Sequence, residues 1–324
     1  MGIVAVTGSS GYIGTRLLRQ MEEDPSIEGV VGIDLKPPGE AFGKLDFHRM
    51  DVRDAGLARL FREKGVGAVV HLAFVLNPIH DTALMHDIDV GGAGNVLEAA
   101  RACGAEHVIV ASSSSAFGAF PDNPDFLGED SPPRRRGNFT YADDKCEVEW
   151  MLRRFVRENP RTRVAVVRPC IVYGPNVDNY LSRFLLRLHF IPAISGCRPD
   201  MQFVHEDDAA AVFMEVYRRG AEGYFHACGE GTVNVEEIAR IAGKRILPLP
   251  AGLAYPAVDL LWKLRFPLIE GPSGMLDFIR YRWVISDRHT REALGIRPRY
   301  SSRDVVGIMV ETHKKGGPAT GPRG

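Results

Sequence analysis

Tyr141 and Lys145 stand four residues apart in Tyr141-Ala142-Asp143-Asp144-Lys145, which puts a phenol and an ammonium on one face of a helix. A phenol with a pKa near 10 is a poor base at neutral pH. A neighbouring cation lowers that value, so the pair could take a proton from a substrate hydroxyl while hydride leaves the carbon. A second group of interest is the serine run Ser112-Ser113-Ser114-Ser115, which follows the apolar run His107 to Ala111. A serine hydroxyl at the end of a parallel strand can bridge a substrate oxygen and the tyrosine, because ligands of open α/β sheets sit at the carboxyl ends of the strands.

A third feature is Thr7-Gly8-Ser9-Ser10-Gly11-Tyr12-Ile13-Gly14. It follows one short apolar run and opens an amphipathic one. The glycines allow a tight turn and let backbone N–H groups approach a pyrophosphate at the positive end of a helix. Asp34 ends the next apolar run, 20 residues after Gly14. A carboxylate there accepts both ribose hydroxyls of NAD and repels the 2′-phosphate of NADP.

These groups need a scaffold, and the pattern around them supplies one. Strands are predicted at Ile3 to Thr7, Gly29 to Asp34, Asp46 to Met50, Ala68 to Leu72, His107 to Ala111 and Arg163 to Arg168. Helices are predicted over about 11–22, through Leu57, Leu60 and Phe61 with Asp54 as the cap, and over 84–103 and 141–158. Continuous apolar strands separated by helices mean a parallel sheet buried on both faces, a doubly wound nucleotide-binding (Rossmann) α/β architecture. After Pro175 the alternation loosens. Further strands are predicted at 201–205 and 223–227, with helices at 180–188, 207–218 and 235–242. The expected division is an NAD-binding part over 1–175 and a smaller substrate lobe over 176–313. Elements of about 201–228 return from that lobe to the sheet. The Gly/Pro-rich basic tail 314–324 is expected to be disordered.

Composition narrows the class. The 324 residues are 45% hydrophobic and 25% charged, an ordinary globular balance. Forty basic and 41 acidic residues leave a formal charge of −1, so no global field selects nucleic acid or anionic lipid. The five cysteines are scattered with no CxxC pair, which signals neither a metal site nor a disulfide framework. Reduced thiols in a cytoplasmic protein are expected. The apolar stretch Leu253 to Ile269 contains Asp259, Lys263, Arg265 and two prolines, too polar for a membrane span. It is expected to be lobe core, a dimer surface or a wall of an apolar pocket.

Taken jointly, the motifs resemble the extended branch of the short-chain dehydrogenase/reductase superfamily, the NAD-dependent epimerase/dehydratase family with its UDP-glucose 4-epimerase-like members. The run from Thr7 to Gly14 is similar to that branch's TGxxGxxG. Asp51-Val52 resembles its adenine-contacting pair, and His71-Leu72-Ala73-Phe74 its HLAA strand end. Tyr141 and Lys145 match YxxxK, Arg168-Pro169-Cys170-Ile171-Val172-Tyr173-Gly174-Pro175 resembles RPxNVYGP, and Phe203 to Asp208 resembles FVHVDD. The resemblance implies catalytic roles for Ser113, Tyr141 and Lys145. It implies NAD contacts from Gly8, Ser10, Gly11, Tyr12, Ile13, Gly14, Asp34, Asp51, Val52, Leu72, Ala73, Phe74, Tyr141, Lys145 and Pro169. The implied partner is a small molecule, such as a nucleotide sugar, with no nucleic acid and no membrane, on a protein that could be a homodimer.

Departures from the family pattern bear on the reaction. Asp89 stands where the branch usually has Asn, Phe117 replaces the Tyr before Gly118, and Ile171 replaces the Asn of RPxNVYGP. Ser114-Ser115 follow Ser113 in place of the Asp-Glu pair of 4,6-dehydratases, which disfavours water elimination. Gln202 occupies the place of an arginine that many epimerases aim at the substrate diphosphate. That duty would fall on Arg280, Arg282 or Arg288. The reading is an NAD-dependent oxidoreductase resembling a nucleotide-sugar 4-epimerase. Its rivals are a net dehydrogenase of an apolar, hydroxysteroid-like alcohol and a non-catalytic NAD-binding regulator.

Overall fold

The computed structural model describes residues 2–315, so most of the expected tail lies outside the described residues. The strands are β1 (Gly2–Thr7), β2 (Ile27–Asp34), β3 (Leu45–Arg49), β4 (Val66–His71), β5 (His107–Ala111), β6 (Arg163–Pro169), β7 (Ile171–Tyr173), β8 (Phe190–Ile194), β9 (Phe203–His205), β10 (Gly223–Ala227) and β11 (Arg245–Leu249). Seven form one parallel sheet in the order β10-β6-β5-β4-β1-β2-β3. Chain direction away from β1 reverses between β1 and β4, which opens a crevice at the carboxyl ends of those strands.

The apolar runs become strands because both sheet faces are covered. Ala5, Val31, Val69, Val108 and Val166 point into one core layer, while Val4, Val6, Val30, Val70 and Ile109 point into the other. Successive side chains alternate across a strand, so a run with no polar interruption fills both layers. On the second face the helix Tyr12–Glu23 packs on the helix Glu206–Arg219. The segment 201–227 therefore supplies a helix to this layer and the edge strand β10. Two small parallel pairs, β7 with β9 and β8 with β11, stand outside the large sheet.

Several elements differ from expectation. The helix expected over 84–103 is two, Thr82–His86 and Gly92–Cys103, joined by a π-helical turn at Asp87–Gly91. Asp54 does not cap the helix Leu57–Lys64 from the Ncap position. Its carboxylate accepts the Gly56 N–H at 2.7 Å, and Gly56 is the cap. The Leu-rich segment is a 13-residue helix, Ala251–Lys263, whose Ala251, Ala254, Tyr255 and Val258 pack in a small core with Ile194 and Leu276, while Leu253 and Leu260 stay exposed. Lys314 closes the last helix, Ser302–Lys314, rather than opening the tail. Among the described residues, no helix is long and apolar enough to cross a membrane.

Candidate active site

The glycine turn is built by sterics at its two ends. Gly8 has φ of +70°, and a Cβ there would lie 2.6 Å from the Ala73 backbone nitrogen. A Cβ on Gly14 would lie 2.1 Å from the Gly8 carbonyl oxygen. Neither place admits a side chain, so the β1 carboxyl end and the helix N-terminus close to a cradle that only backbone can line. The buried Ser10 hydroxyl has no partner among the described residues, while the Ser10 N–H donates to Asp34 Oδ2 at 3.0 Å. Asp34 Oδ1 accepts the Leu35 N–H at 2.7 Å. Each oxygen keeps acceptor capacity for a ribose hydroxyl. The donor-lined turn and the carboxylate fit a dinucleotide.

From this turn a cavity of about 490 Å³ runs along the crevice. Gly8, Gly11, Tyr12, Ile13, Gly14 and Asp34 line one end, with Asp51 and Val52 beside them. Leu72, Ala73 and Phe74 line its floor, and Pro169 borders the far end with Ser113, Tyr141 and Lys145. Ser10 alone of the expected residues does not line the cavity; it acts through its backbone on Asp34. Asp51 is held by Arg53, whose guanidinium lies 2.7 Å from it and keeps its carboxyl below the usual range.

The helix Thr140–Glu158 carries Tyr141 and Lys145, and the turn after β5 carries Ser113. Their spacing is fixed by a buried clamp. Glu149, on the same helix, takes two hydrogen bonds from Arg168 of β6 at 2.8 and 2.6 Å and one from Ser112 at 2.5 Å. All three are buried. Lys145 donates to the Ala111 carbonyl at 2.7 Å, and its ammonium lies 3.4 Å from the centre of the Phe74 ring. Phe74 meets Tyr141 edge-on at 5.6 Å. Burial pushes the Tyr141 phenol up to about 12, the Ser113 hydroxyl pulls it down, and the charge of Asp89 pushes it up.

Asp89 is the group whose place in the site sequence reasoning missed. It was visible only as a departure from the family's Asn. The π-helical turn points its carboxylate inward, where Oδ1 accepts the Val75 N–H at 2.7 Å and Oδ2 has no partner among the described residues. Burial raises the carboxyl to about 7, with Lys145 opposing. Burial lowers Lys145 to about 7, with Asp89 opposing. Two buried groups of opposite sign thus sustain each other's charge. Asp89→Asn takes away the carboxylate that sustains the Lys145 charge, so the Lys145 ammonium is expected to deprotonate at lower pH. The pH dependence of NAD binding checks this, and a profile like that of wild type would detach Asp89 from the site.

Other candidates lie elsewhere. Gln202 is bound to both backbone groups of Ile285, at 3.1 and 3.0 Å, and so locks β9 to the 285 loop. Arg282 is paired with Asp125 and Asp200, and exposed Arg288 with Glu292. The Arg280 guanidinium lies over the Tyr255 and Tyr281 rings. None lines the cavity. Arg134, Arg135 and Arg136 are paired with Asp122, Glu147 and Asp277. Cys170 lines the cavity, but burial pushes its thiol far up, which suits packing. Among the described residues, no cluster of His, Cys, Asp and Glu could hold a metal.

Asp34→Ala is expected to weaken NAD binding by about tenfold or more, since charge-assisted hydrogen bonds are worth roughly 1.5–3 kcal/mol. Selection against NADP should fall with it, because the repelling charge is gone. Titration of both cofactors reads this, with the melting midpoint as a control for the lost Ser10 partner.

The chain matches the NAD dependent epimerase/dehydratase family over residues 4–242. An uncharacterised protein of Mycobacterium tuberculosis (strain ATCC 25618 / H37Rv) is 27% identical over 307 residues, 93% of this chain and 81% of that protein. UDP-glucose 4-epimerase 2 of Oryza sativa subsp. japonica is 28% identical, over 82% of this chain and 79% of that one. In structure the chain is similar to the UDP-glucose 4-epimerase of Thermus thermophilus in complex with NAD. The TM-score is 0.72 at 23% identity, over 96% of this chain and 99% of that one, which shows the shared fold. The family match takes in the glycine turn, Asp34 and the Ser113–Tyr141–Lys145 cluster alike, and on that ground the chain belongs to the NAD dependent epimerase/dehydratase family, a family of enzymes whose cofactor is NAD.

Proposed function

We propose that the chain is an NAD-dependent oxidoreductase acting like a nucleotide-sugar 4-epimerase, with Tyr141 as the base toward a substrate hydroxyl. The observation that carries this reading is the convergence of Ser113, Tyr141 and Lys145 on one cavity whose other end is the glycine turn and Asp34. NAD, when bound, supplies the hydride acceptor beside these groups. Tyr141 Oη takes the hydroxyl proton, Ser113 Oγ hydrogen-bonds the same substrate oxygen, and Lys145 Nζ supplies positive charge and a donor for the cofactor ribose. Gly8, Gly11, Tyr12, Ile13 and Gly14 hold the pyrophosphate end, Asp34 the adenosine ribose, and Asp51 and Val52 the adenine. Leu72, Ala73, Phe74 and Pro169 wall the remainder. Five unpaired thiols support a reducing, cytoplasmic setting.

A second reading has its own observation. The substrate end of the cavity is lined by Leu76, Phe139, Tyr180, Leu181, Met275 and Phe278, and Lys145 is the one lysine or arginine among the described lining residues. Such a lining favours a net dehydrogenase of an apolar alcohol, since a diphosphate calls for arginine. Incubation with UDP-galactose separates the two. The epimerase converts it to UDP-glucose without accumulating NADH, and UDP competes. Failure of UDP, GDP and TDP to bind at millimolar concentration would sink the epimerase reading in favour of the dehydrogenase.

A further inference from the structure

The helix Ala251–Lys263 carries its apolar side outward. Leu253, Leu260 and Leu264 are 69, 58 and 67% exposed, and Pro256 and Ala257 are exposed between them. Positions 253, 256, 257, 260 and 264 fall on one helical face. Phe266 and Leu268 extend that surface past the helix end. The turn joining them is built. Arg265 N–H donates to the Trp262 carbonyl and Phe266 N–H to the Leu261 carbonyl, both at 2.9 Å. Arg265 makes this closure with φ of 55°, the one positive φ outside glycine among the described residues. A helix stop of this kind ordinarily takes glycine.

The cations that border this face are Lys263 and Arg265. Between residues 245 and 276 the acidic side chains are Asp259 and Glu270. Asp259 accepts both the N–H and the hydroxyl of Ser273 at 2.9 Å, and Glu270 holds Arg183 and Arg187. Lys263 and Arg265 are exposed and form no ion pair among the described residues. An apolar stripe edged by free cations, with its carboxylates engaged elsewhere, complements an anionic lipid surface.

The face also borders the cleft. His80 stacks on Trp262 at 3.8 Å, and the turn Ser273–Ile279 behind the helix supplies Met275 and Phe278 to the cavity wall. At 1.5 Å per residue, 13 residues span about 20 Å, enough to lie in a membrane interface. We propose that the helix Ala251–Lys263 and the turn 264–268 dock on an anionic membrane surface. Leu253, Leu260, Leu264 and Phe266 enter the headgroup–acyl boundary, and Lys263 and Arg265 meet lipid phosphates.

Flotation of the full chain with vesicles tests this, using phosphatidylcholine alone or mixed seven to three with phosphatidylglycerol. Wild type should float with the mixed vesicles and release as salt rises. Leu260→Glu/Leu264→Glu and Lys263→Glu/Arg265→Glu should each cut the bound fraction roughly tenfold. The exposed positions should leave the circular-dichroism melting midpoint unchanged. Wild type that stays with the unbound fraction on mixed vesicles overturns the proposal, as do variants that float like wild type. A wild-type dimer in light scattering that Leu260→Glu/Leu264→Glu turns into monomer, with no flotation of either, assigns the face to a second copy instead.

Discussion

Tyr141→Phe should bind NAD with close to wild-type affinity and lose roughly 10²–10⁴-fold in turnover, the contribution of a positioned proton acceptor. The ring stays, so its edge-on contact with Phe74 and its packing beside Phe139 and Tyr180 survive. Only the Oη beside Ser113 is lost. Because burial lifts the phenol to about 12, wild-type turnover should rise with pH across the neutral range, as the fraction of tyrosinate grows. The phenylalanine variant should lose that rise together with the rate. Single-turnover kinetics with titrated NAD separate binding from chemistry. A variant keeping most of its activity would reduce the Tyr-Lys spacing to coincidence.

Glu149→Leu is expected to be the most destabilising single change in the site region. Arg168 is fully buried, and Glu149 meets two of its nitrogens while Ser112 donates to the same carboxylate. Removing one partner of a buried pair strands the other charge at a cost of about 3–5 kcal/mol. For a chain of this length that lowers the melting midpoint by roughly 4–7 °C. The Tyr224 and Phe117 rings lie 4.2 and 4.7 Å from the Arg168 guanidinium and do not replace a carboxylate. The double change Glu149→Leu/Arg168→Met should recover much of the loss, since no buried charge is then left unpaired. Thermal melts of the three proteins decide this; a Glu149→Leu midpoint within about 2 °C of wild type would mean the pair holds nothing.

By itself the sequence determined that the chain builds a parallel sheet covered on both faces. Runs such as Ile3 to Thr7 and His107 to Ala111 can be buried on two faces only inside a parallel sheet, and the glycine spacing admits only a backbone-lined turn. Hence residues far apart in the chain could be assigned to one cleft. The local periodicity also marked the helix that carries Tyr141 and Lys145, because both groups lie within one turn. What only the tertiary structure decided are the matters set by partners distant in the chain. Asp89 read as an odd residue in a helical stretch; a π-helical turn and burial against Lys145 make it part of the site. Arg280, Arg282 and Arg288 read as candidate diphosphate ligands, yet Asp125, Asp200 and Glu292 engage two of the three, and Gln202, which stands where an arginine was looked for, is held by Ile285. The Leu253 to Ile269 stretch read as something to be covered, and the fold turns its leucines outward. Apolar periodicity states that a face exists; which surface meets it depends on where every other element lies.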